Sequence, residues 1–432
     1  MESFYCFFPW RTTIFLDFII HFFKHLHTDI LSDRGAFRLK TAGIVAEYNP
    51  FHTGHAYQIA RTRGLLGADC AVVAVMSGNW VQRGACAAAD KWTRAGWALA
   101  GGADLVLELP TVWAASAAES FATGAVALLR ACGVVDVLSF GSESGDPAAL
   151  AAAAACLDSE AYRAGLSRFL DEGMPFAACR QAVVAALLGS ERAKVLSRPN
   201  DNLGVEYLRA ASALGWSPQV LAVPRQGAGH DAPRPAEGFA SASILREWIA
   251  AGRRDLADCF LPAPWPEELE PTSLSHLERA LLARVRSLSQ AEWALLPDSG
   301  VEEGLPARLV QAGSRALSVE EFLTLAKTKR YSHARLRRLL LWAFLGLTAA
   351  DRPAAPPYLR VLGFTPRGQE LLRAMKGAAS LPILTKPAHA RSLDGPGRRL
   401  FQLEARCTDL YGLCFSTPRP GGLEWTTGPV LI

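Results

Sequence analysis

Nowhere do two of the nine cysteines (6, 70, 86, 132, 156, 179, 259, 407 and 414) stand in a Cys-x-x-Cys spacing. An odd, scattered set argues against a disulfide framework and for reduced thiols in a cytoplasmic protein. Charge is also sparse: charged residues make up 20% of the chain and the net charge is +4. The total therefore neither demands nor excludes a nucleic-acid partner, and local distribution must decide. Long apolar runs are lacking too. The tract Ile14 to Phe23 is broken by Asp17 and His21 and is too short to cross a bilayer comfortably, so no membrane partner is expected. Arg11 sits between apolar runs and no small-residue cleavage site follows, a poor match to a signal peptide. Residues 1–38 read as an unusual extension or an upstream start that is not used, with a peripheral amphipathic helix as a third reading. No internal repeat is apparent. Half the residues are hydrophobic, and 432 residues leave room for two or three domains with a sizeable core.

What the chain does have is Gly43-Ile-Val-Ala-Glu-Tyr-Asn-Pro-Phe-His-Thr-Gly-His55. The apolar run Ala42 to Ala46 predicts a buried strand, Asn49-Pro50 a turn, and Thr53 to Leu66 a helix. His52 and His55 are three residues apart and can face one ligand at the helix N-terminus, where free N–H groups favour anions. Gly54 removes a side chain where a nucleotide could lie against the backbone. Two imidazoles donating hydrogen bonds suit a triphosphate whose charge shifts toward a leaving pyrophosphate, which points to adenylyl or another nucleotidyl transfer. No Cys, Asp or Glu pair accompanies the histidines at ligand spacing, so no metal site is expected.

Such a site needs groups on the far side of the triphosphate. Ala240-Ser-Ala-Ser-Ile-Leu-Arg246 looks like the Ile-Ser-Ser-Thr-x-Ile-Arg pattern of nucleotidyltransferases and follows His-x-Gly-His in the required order. Ser243 is expected to cap a helix from Ile244 to Ala251, with Arg246 facing the phosphates from its first turn. The later Lys-Met-Ser-Lys-Ser motif of class I aminoacyl-tRNA synthetases has no match here.

Along the chain, Cys70 to Met76, Asp104 to Pro110, Val134 to Phe140 and Val220 to Pro224 read as further strands, alternating with helices. That pattern predicts an α/β fold, a parallel-sheet, Rossmann-like nucleotidyltransferase domain over 39–261 with ligand loops at the strands' carboxyl ends. Pro262-Ala-Pro-Trp-Pro266 is the expected boundary to a mostly helical domain over 267–432. There, Lys327, Lys329, Arg330, Arg335, Arg337 and Arg338 fall within twelve residues, with Tyr331 available for stacking. The cluster reads either as a phosphate-contacting surface for RNA or as a solvated helix face.

The blocks Val45 to His55, Met76-Ser-Gly-Asn-Trp-Val-Gln-Arg-Gly84, Asp90-Lys-Trp-Thr-Arg94, Asp104 to Pro110, Phe140-Gly-Ser-Glu143 and Ser197-Arg-Pro-Asn200 occur in order. With the Ser243/Arg246 segment, Lys329-Arg-Tyr331 and Leu359 to Phe364, they resemble the bacterial tRNA(Met) cytidine acetate ligase family from about Ala42 onward. The resemblance implies that ATP and acetate give acetyl-adenylate, and that the acetyl group passes to the wobble cytidine of elongator tRNA(Met) as N4-acetylcytidine. It implies ATP contacts along Val45, Ala46, Glu47, Tyr48, Asn49, Pro50, Phe51, His52, Thr53, Gly54 and His55, and at Gly141, Asn200 and Arg225. Mg²⁺ is expected with the triphosphate. Asp201 stands where the family often has a second Asn, and its charge would weaken phosphate affinity if it pointed inward. Ser77, Asn79, Arg83, Lys91 and Arg94 are expected either to contact phosphate or acetate or to brace loops. Glu108 and Glu143 read as solvent-facing strand ends, and His230-Asp231 as a loop pair or part of the site.

Two other functions fit parts of the pattern. One is a small-molecule adenylyltransferase of the pantetheine-phosphate kind, against which the long region after Pro262 and its basic cluster argue. The other is a non-catalytic RNA-binding protein, against which the intact His52, His55, Ser243 and Arg246 argue.

Overall fold

Short apolar, β-branched runs bounded by Gly, Pro and Asn build the strands Thr41–Ala46 (β1), Ala71–Ser77 (β2), Leu105–Leu109 (β3), Val137–Ser142 (β4) and Gln219–Pro224 (β5). The computed structural model describes residues 39–171, 176–227, 234–236, 238–301 and 304–432. The expectations for residues 1–38 and for His230-Asp231 lie outside the described residues. β1 pairs parallel with β2 on one side and β4 on the other, and β5 extends the sheet parallel to β4. The order β3-β2-β1-β4-β5 reverses direction at β1, so the crevice at the carboxyl ends of β1 and β4 is the topological switch point where ligands bind in such sheets. β4 begins three residues later than the apolar pattern suggests, which puts Gly141 and Ser142 among the strand's last paired residues rather than in a loop.

Helices cover both faces. Thr53–Leu66 (α1) and Lys91–Ala100 (α2) place Ile59, Trp92, Ala95 and Leu99 against Ile44, Val72, Ala74 and Met76. On the other face Ala118–Ala131 (α3) and Pro199–Ala213 (α4) bury Phe121, Leu128, Leu129 and Val205 with Val73 and Val75. A Cβ on Gly43 would lie 2.8 Å from the Leu129 side chain, so glycine sets how closely α3 approaches β1.

The chain returns to the sheet after the proline-rich stretch. Leu359–Phe364 (β6) pairs antiparallel with β3, and Ile383–Leu384 (β7) and Val430–Leu431 (β8) pair parallel with β6. Without β6 the row of donors and acceptors along β3 would be an open edge. The division expected at 262–266 is thus crossed by the sheet, and residues 40–432 make one compact unit. The rest of this later region is helical, as its sequence suggests, with His333–Leu345 (α6) and Gly395–Tyr411 (α7) following Ala242–Ala250 (α5).

Ion pairs seal that junction. Lys91 Nζ donates to Glu108 Oε1 at 2.6 Å and also to Glu424, while Arg360 Nε lies 3.5 Å from Glu424 Oε1, all of them buried. Nearby Glu404 accepts from the Thr111 N–H at 2.7 Å. Burial, and then the charge of Glu108, pushes the Glu404 carboxyl up to about 8. With Glu404 protonated at neutral pH, two carboxylates face two cations. Glu108 is therefore a buried ion-pair partner and not a solvent-facing strand end; burial pushes its carboxyl up, and the neighbouring Lys91 offsets part of that cost.

Candidate active site

The turn after β1 is shaped by its anchors. Tyr48 takes a left-handed backbone conformation (φ 47°) and the Asn49–Pro50 bond is cis. Asn49 Oδ1 accepts from the Ala88 N–H at 2.7 Å, and Arg246 Nη1 donates to the Asn49 carbonyl at 2.7 Å. Glu47 Oε1 accepts from the Gln82 N–H at 2.6 Å, which ties the turn to the hairpin Trp80–Val81/Ala85–Cys86. Fully buried Arg94 donates to the carbonyls of Glu47, Ser77, Gly78 and Ala89, joining the ends of β1 and β2. Asn79 Oδ1 accepts from the Lys91 N–H at 2.9 Å. Of the five residues left between phosphate contact and bracing, Arg94, Lys91 and Asn79 therefore brace. Ser77 is buried and Arg83 is exposed.

This scaffold delivers the two histidines. His52 is the N-cap of α1: its Nδ1 accepts from the Gly54 N–H at 3.1 Å, and His55 Nδ1 accepts in return from the His52 N–H at 3.2 Å. The reciprocal capping arrangement occupies Nδ1 of both rings as an acceptor, so each neutral ring carries its proton on Nε2. The rings stack with centroids 3.8 Å apart. Desolvation, then the charges of His52 and Arg225, holds His55 well below the usual histidine value, so it is neutral at pH 7. A Cβ on Gly54 would come 2.9 Å from His52 Cε1, so the glycine leaves room for the ring. The result is a pair of N–H donors at a helix N-terminus.

They open on a cleft of about 470 Å³ lined by His52, Gly54, His55, Tyr57, Gln58, Gly141, Val223, Pro224, Arg225, Gln226, Phe239 and Ala240. Gly141 faces Arg225, whose Cγ would stand 3.6 Å from an added Cβ. Asn200 lies at the start of α4, where Glu143 Oε1 accepts from its Nδ2 at 2.6 Å and from its N–H at 3.1 Å. Exposed Glu143 thus caps α4. Asp201 is fully buried, bonds Ser142 and accepts from the Ser144 N–H at 3.0 Å. Its charge is committed to the end of β4, not to the cleft.

Other expected contacts divide differently. Pro50 and Phe51 line a separate apolar cleft with Trp97, Leu261 and Pro262. Val45 is buried, its side chain packed in the larger core, and Ala46 packs beside Tyr48 on the opposite face. Thr53 Oγ1 donates to the Gly238 carbonyl at 3.2 Å. Ser241, and not Ser243, is the N-cap of α5, accepting from the Ile244 N–H at 3.4 Å. Two serines two positions apart compete for that place, and the extended backbone falls at Ser241, leaving Ser243 in the first turn. Arg246, one turn further on, reaches the Asn49 carbonyl. Gln58, Gln226 and Phe239 were missed by sequence reasoning. Gln58 follows His55 at the helical spacing of three, a readable signal; Gln226 and Phe239 come from a loop without periodicity.

The basic segment is less uniform than its sequence. Lys327, Lys329, Arg330 and Arg337 are exposed. Arg335 is half-buried, lies over the Tyr331 ring at 5.4 Å and donates to the Asp298 carbonyl at 2.8 Å. Desolvation lowers the half-buried Arg338. Tyr331 is buried in the core, so the expected stacking surface is absent at that residue. Gly84 (φ 72°) lets the hairpin lie on the backbone of α6: a Cβ there would be 2.5 Å from the Arg337 carbonyl carbon. The start of α6 therefore abuts a loop that leaves the carboxyl end of β2.

Among the described residues no group of three His, Cys, Asp or Glu side chains is arranged to hold a metal, and no helix is long and apolar enough to cross a membrane.

Comparison with known proteins agrees with this geometry. The model of the HIGH Nucleotidyl Transferase family matches residues 39–422. The tRNA(Met) cytidine acetate ligase of Thermoanaerobacter sp. (strain X514) is 35% identical over 396 residues, covering 89% of this chain and 97% of that protein. The enzyme of the same name from Syntrophotalea carbinolica is 38% identical over 365 residues, 80% of this chain and 85% of that one. A crystal structure of apo Thermotoga maritima TmcAL superposes with a TM-score of 0.85 at 31% identity, covering 91% of this chain and all of that one. The same protein bound with alpha-thio ATP gives a TM-score of 0.81.

Proposed function

Because this chain belongs to the tRNA(Met) cytidine acetate ligase family of HIGH nucleotidyl transferases, we propose that its cleft binds ATP and activates acetate for transfer to elongator tRNA(Met). In the first step an acetate oxygen attacks the α-phosphorus, acetyl-adenylate forms and pyrophosphate leaves. In the second, the exocyclic amine of the wobble cytidine attacks the acetyl carbonyl, N4-acetylcytidine forms and AMP leaves. A carboxylate nucleophile needs no general base, so positioning and charge stabilisation are the protein's task.

The observation that carries this reading is the reciprocal bonding of the His pair, which makes each Nδ1 an acceptor and so sets the ring proton on Nε2, at an anion-favouring helix end. His52 and His55 stabilise the charge gathering on the departing pyrophosphate. Arg225 adds positive charge to the cleft, Gly141 permits close approach, and Asn200 with Glu143 borders it at the start of α4. Arg246 is a positioning residue, acting through the Asn49 carbonyl, and Ser243 supports it from the same helix. Mg²⁺ enters with the triphosphate. The exposed Lys327, Lys329, Arg330 and Arg337 contact tRNA phosphates, with Arg335 and Arg338 fixing the helix that carries Arg337.

Isotope exchange between pyrophosphate and ATP, measured with and without acetate, tests the first step without tRNA. The wild type exchanges only with acetate present, and His55→Ala loses exchange while still binding tRNA. Acetate-independent exchange, or loss of tRNA binding in that variant, contradicts the assignment.

A further inference from the structure

The hairpin Trp80–Val81/Ala85–Cys86 follows the carboxyl end of β2 and touches both the turn that carries the His pair and the basic start of α6. Its base is fixed by packing. Trp80 is fully buried, donates from Nε1 to the Cys407 carbonyl at 3.0 Å, and meets the Phe344 and Tyr411 rings at 6.2 and 5.9 Å between centroids. Val81 is buried beside it in sequence, and the Gly84 N–H closes the turn on the Val81 carbonyl at 2.9 Å. Toward the cleft, the Gln82 N–H bonds Glu47 Oε1 at 2.6 Å, on the segment that leads into His52. Toward α6, a Cβ on Gly84 would lie 2.5 Å from the Arg337 carbonyl carbon and 2.6 Å from the Arg338 nitrogen. Arg83 stands between those two contacts, and within residues 80–86 it alone is exposed.

The neighbouring contacts narrow what Arg83 does. The ends of β1 and β2 are already joined by Arg94, through the carbonyls of Glu47, Ser77, Gly78 and Ala89. Arg83 stands outside the lining of the cleft that holds the His pair. Its guanidinium extends the positive charge of Arg337 from α6 toward that cleft. A nucleic-acid backbone that reaches the cleft from α6 passes this hairpin, and the planar donor fork of arginine matches a phosphate.

We propose that Arg83 is a tRNA-positioning residue, whose guanidinium binds an anticodon-loop phosphate beside the wobble cytidine, between the α6 cations and the cleft. The inference rests on the tRNA reading of the proposed function and adds to it the path of the RNA across the hairpin. Fixing a phosphate next to the reacting nucleotide holds the cytidine amine at the acetyl carbonyl, so Arg83 serves the second step and not the first.

The test compares wild type, Arg83→Gln and Arg83→Lys in two measurements with elongator tRNA(Met): affinity over a salt series, and acetyl transfer to the tRNA. Arg83→Gln should lower the slope of log affinity against log salt by about 0.7, the value for one single-strand phosphate. It should also reduce kcat/KM for tRNA about tenfold, the loss of one charge-assisted hydrogen bond. Arg83→Lys keeps the charge and should restore the slope. ATP–pyrophosphate exchange without tRNA separates this role from the others open to Arg83. Loss of exchange in Arg83→Gln would place the residue at ATP, at acetate or in bracing the turn, and would overturn the proposal. So would an unchanged slope and unchanged kcat/KM in that variant, or an Arg83→Lys protein as impaired in slope as Arg83→Gln. A wild type without salt-dependent tRNA binding would overturn the underlying tRNA reading as well, whereas normal wild-type binding with an unaffected Arg83→Gln overturns this inference alone.

Discussion

His55 is the residue on which the proposed chemistry depends, and its ionisation can be followed without turnover. Burial and the facing charges keep its folded value well below the ordinary 6.5. Between those two values the unfolded chain binds a proton that the folded chain does not, so stability falls as pH drops through 6.5. Comparing melting at about pH 7.5 and about pH 5.5 for wild type and His55→Gln should show a larger acid loss in the wild type. A triphosphate beside the ring favours the imidazolium, so ATP affinity should rise toward acid pH in the wild type and stay flatter in His55→Gln. Equal acid losses in the two proteins would mean that His55 is not held neutral. The histidines and Gly54 were legible in sequence because a strand, an Asn-Pro turn and a helix start fix where they stand, whereas Gly141 came from the family resemblance alone. Arg246 was legible at the start of its helix, but its bond to the Asn49 carbonyl was not, because the length that lets it cross is announced by no spacing. Asp201 and Glu108 show the same limit, since a carboxylate's partner comes from a distant segment.

Elements were readable where periodicity and turn residues agreed, and misplaced where they competed. α1 runs from Thr53 to Leu66 as expected, while the cap of α5 shifts by two residues because either serine could serve. The basic segment is the clearest case of composition outrunning geometry, since the cations at 335 and 338 are partly withdrawn from solvent by Asp298 and by helix packing. The exposed charges should carry the RNA contacts. Replacing Lys329, Arg330 and Arg337 with Gln should weaken tRNA binding and reduce the slope of log affinity against log salt by about 0.7–0.9 for each phosphate no longer neutralised. An unchanged slope, measured by filter binding or anisotropy over a salt series, would return these side chains to a solvated face. ATP–pyrophosphate exchange without tRNA should be unaffected in the same variant.

At the scale of the whole molecule, the parallel core was legible through β5, because strands alternate with helices there. The return of β6 to the far edge was not, because a short strand inside a helical region looks the same whether it pairs locally or with β3. Arg360 sits on that strand and Glu424 near its end neighbour β8, so the buried ions join the region after Pro266 to Lys91 and Glu108 in the first half. Lys91→Met would leave Glu108 without its ion-pair partner and Glu424 with Arg360 alone, and should cost about 3–5 kcal/mol in denaturant unfolding, through one cooperative transition. Two separated transitions in the wild type would mean that the halves fold independently.

The central claim is that this one compact unit carries acetate from an ATP-activated form to a cytidine base. Purified protein would be incubated with ATP, isotopically labelled acetate and elongator tRNA(Met), and the tRNA digested and its nucleosides resolved by mass spectrometry. The account predicts labelled N4-acetylcytidine at the wobble position, dependent on ATP and absent with His55→Ala. Acetate- and ATP-dependent pyrophosphate release with unmodified tRNA, or activity only with a phosphorylated small molecule in place of acetate and tRNA, would contradict it.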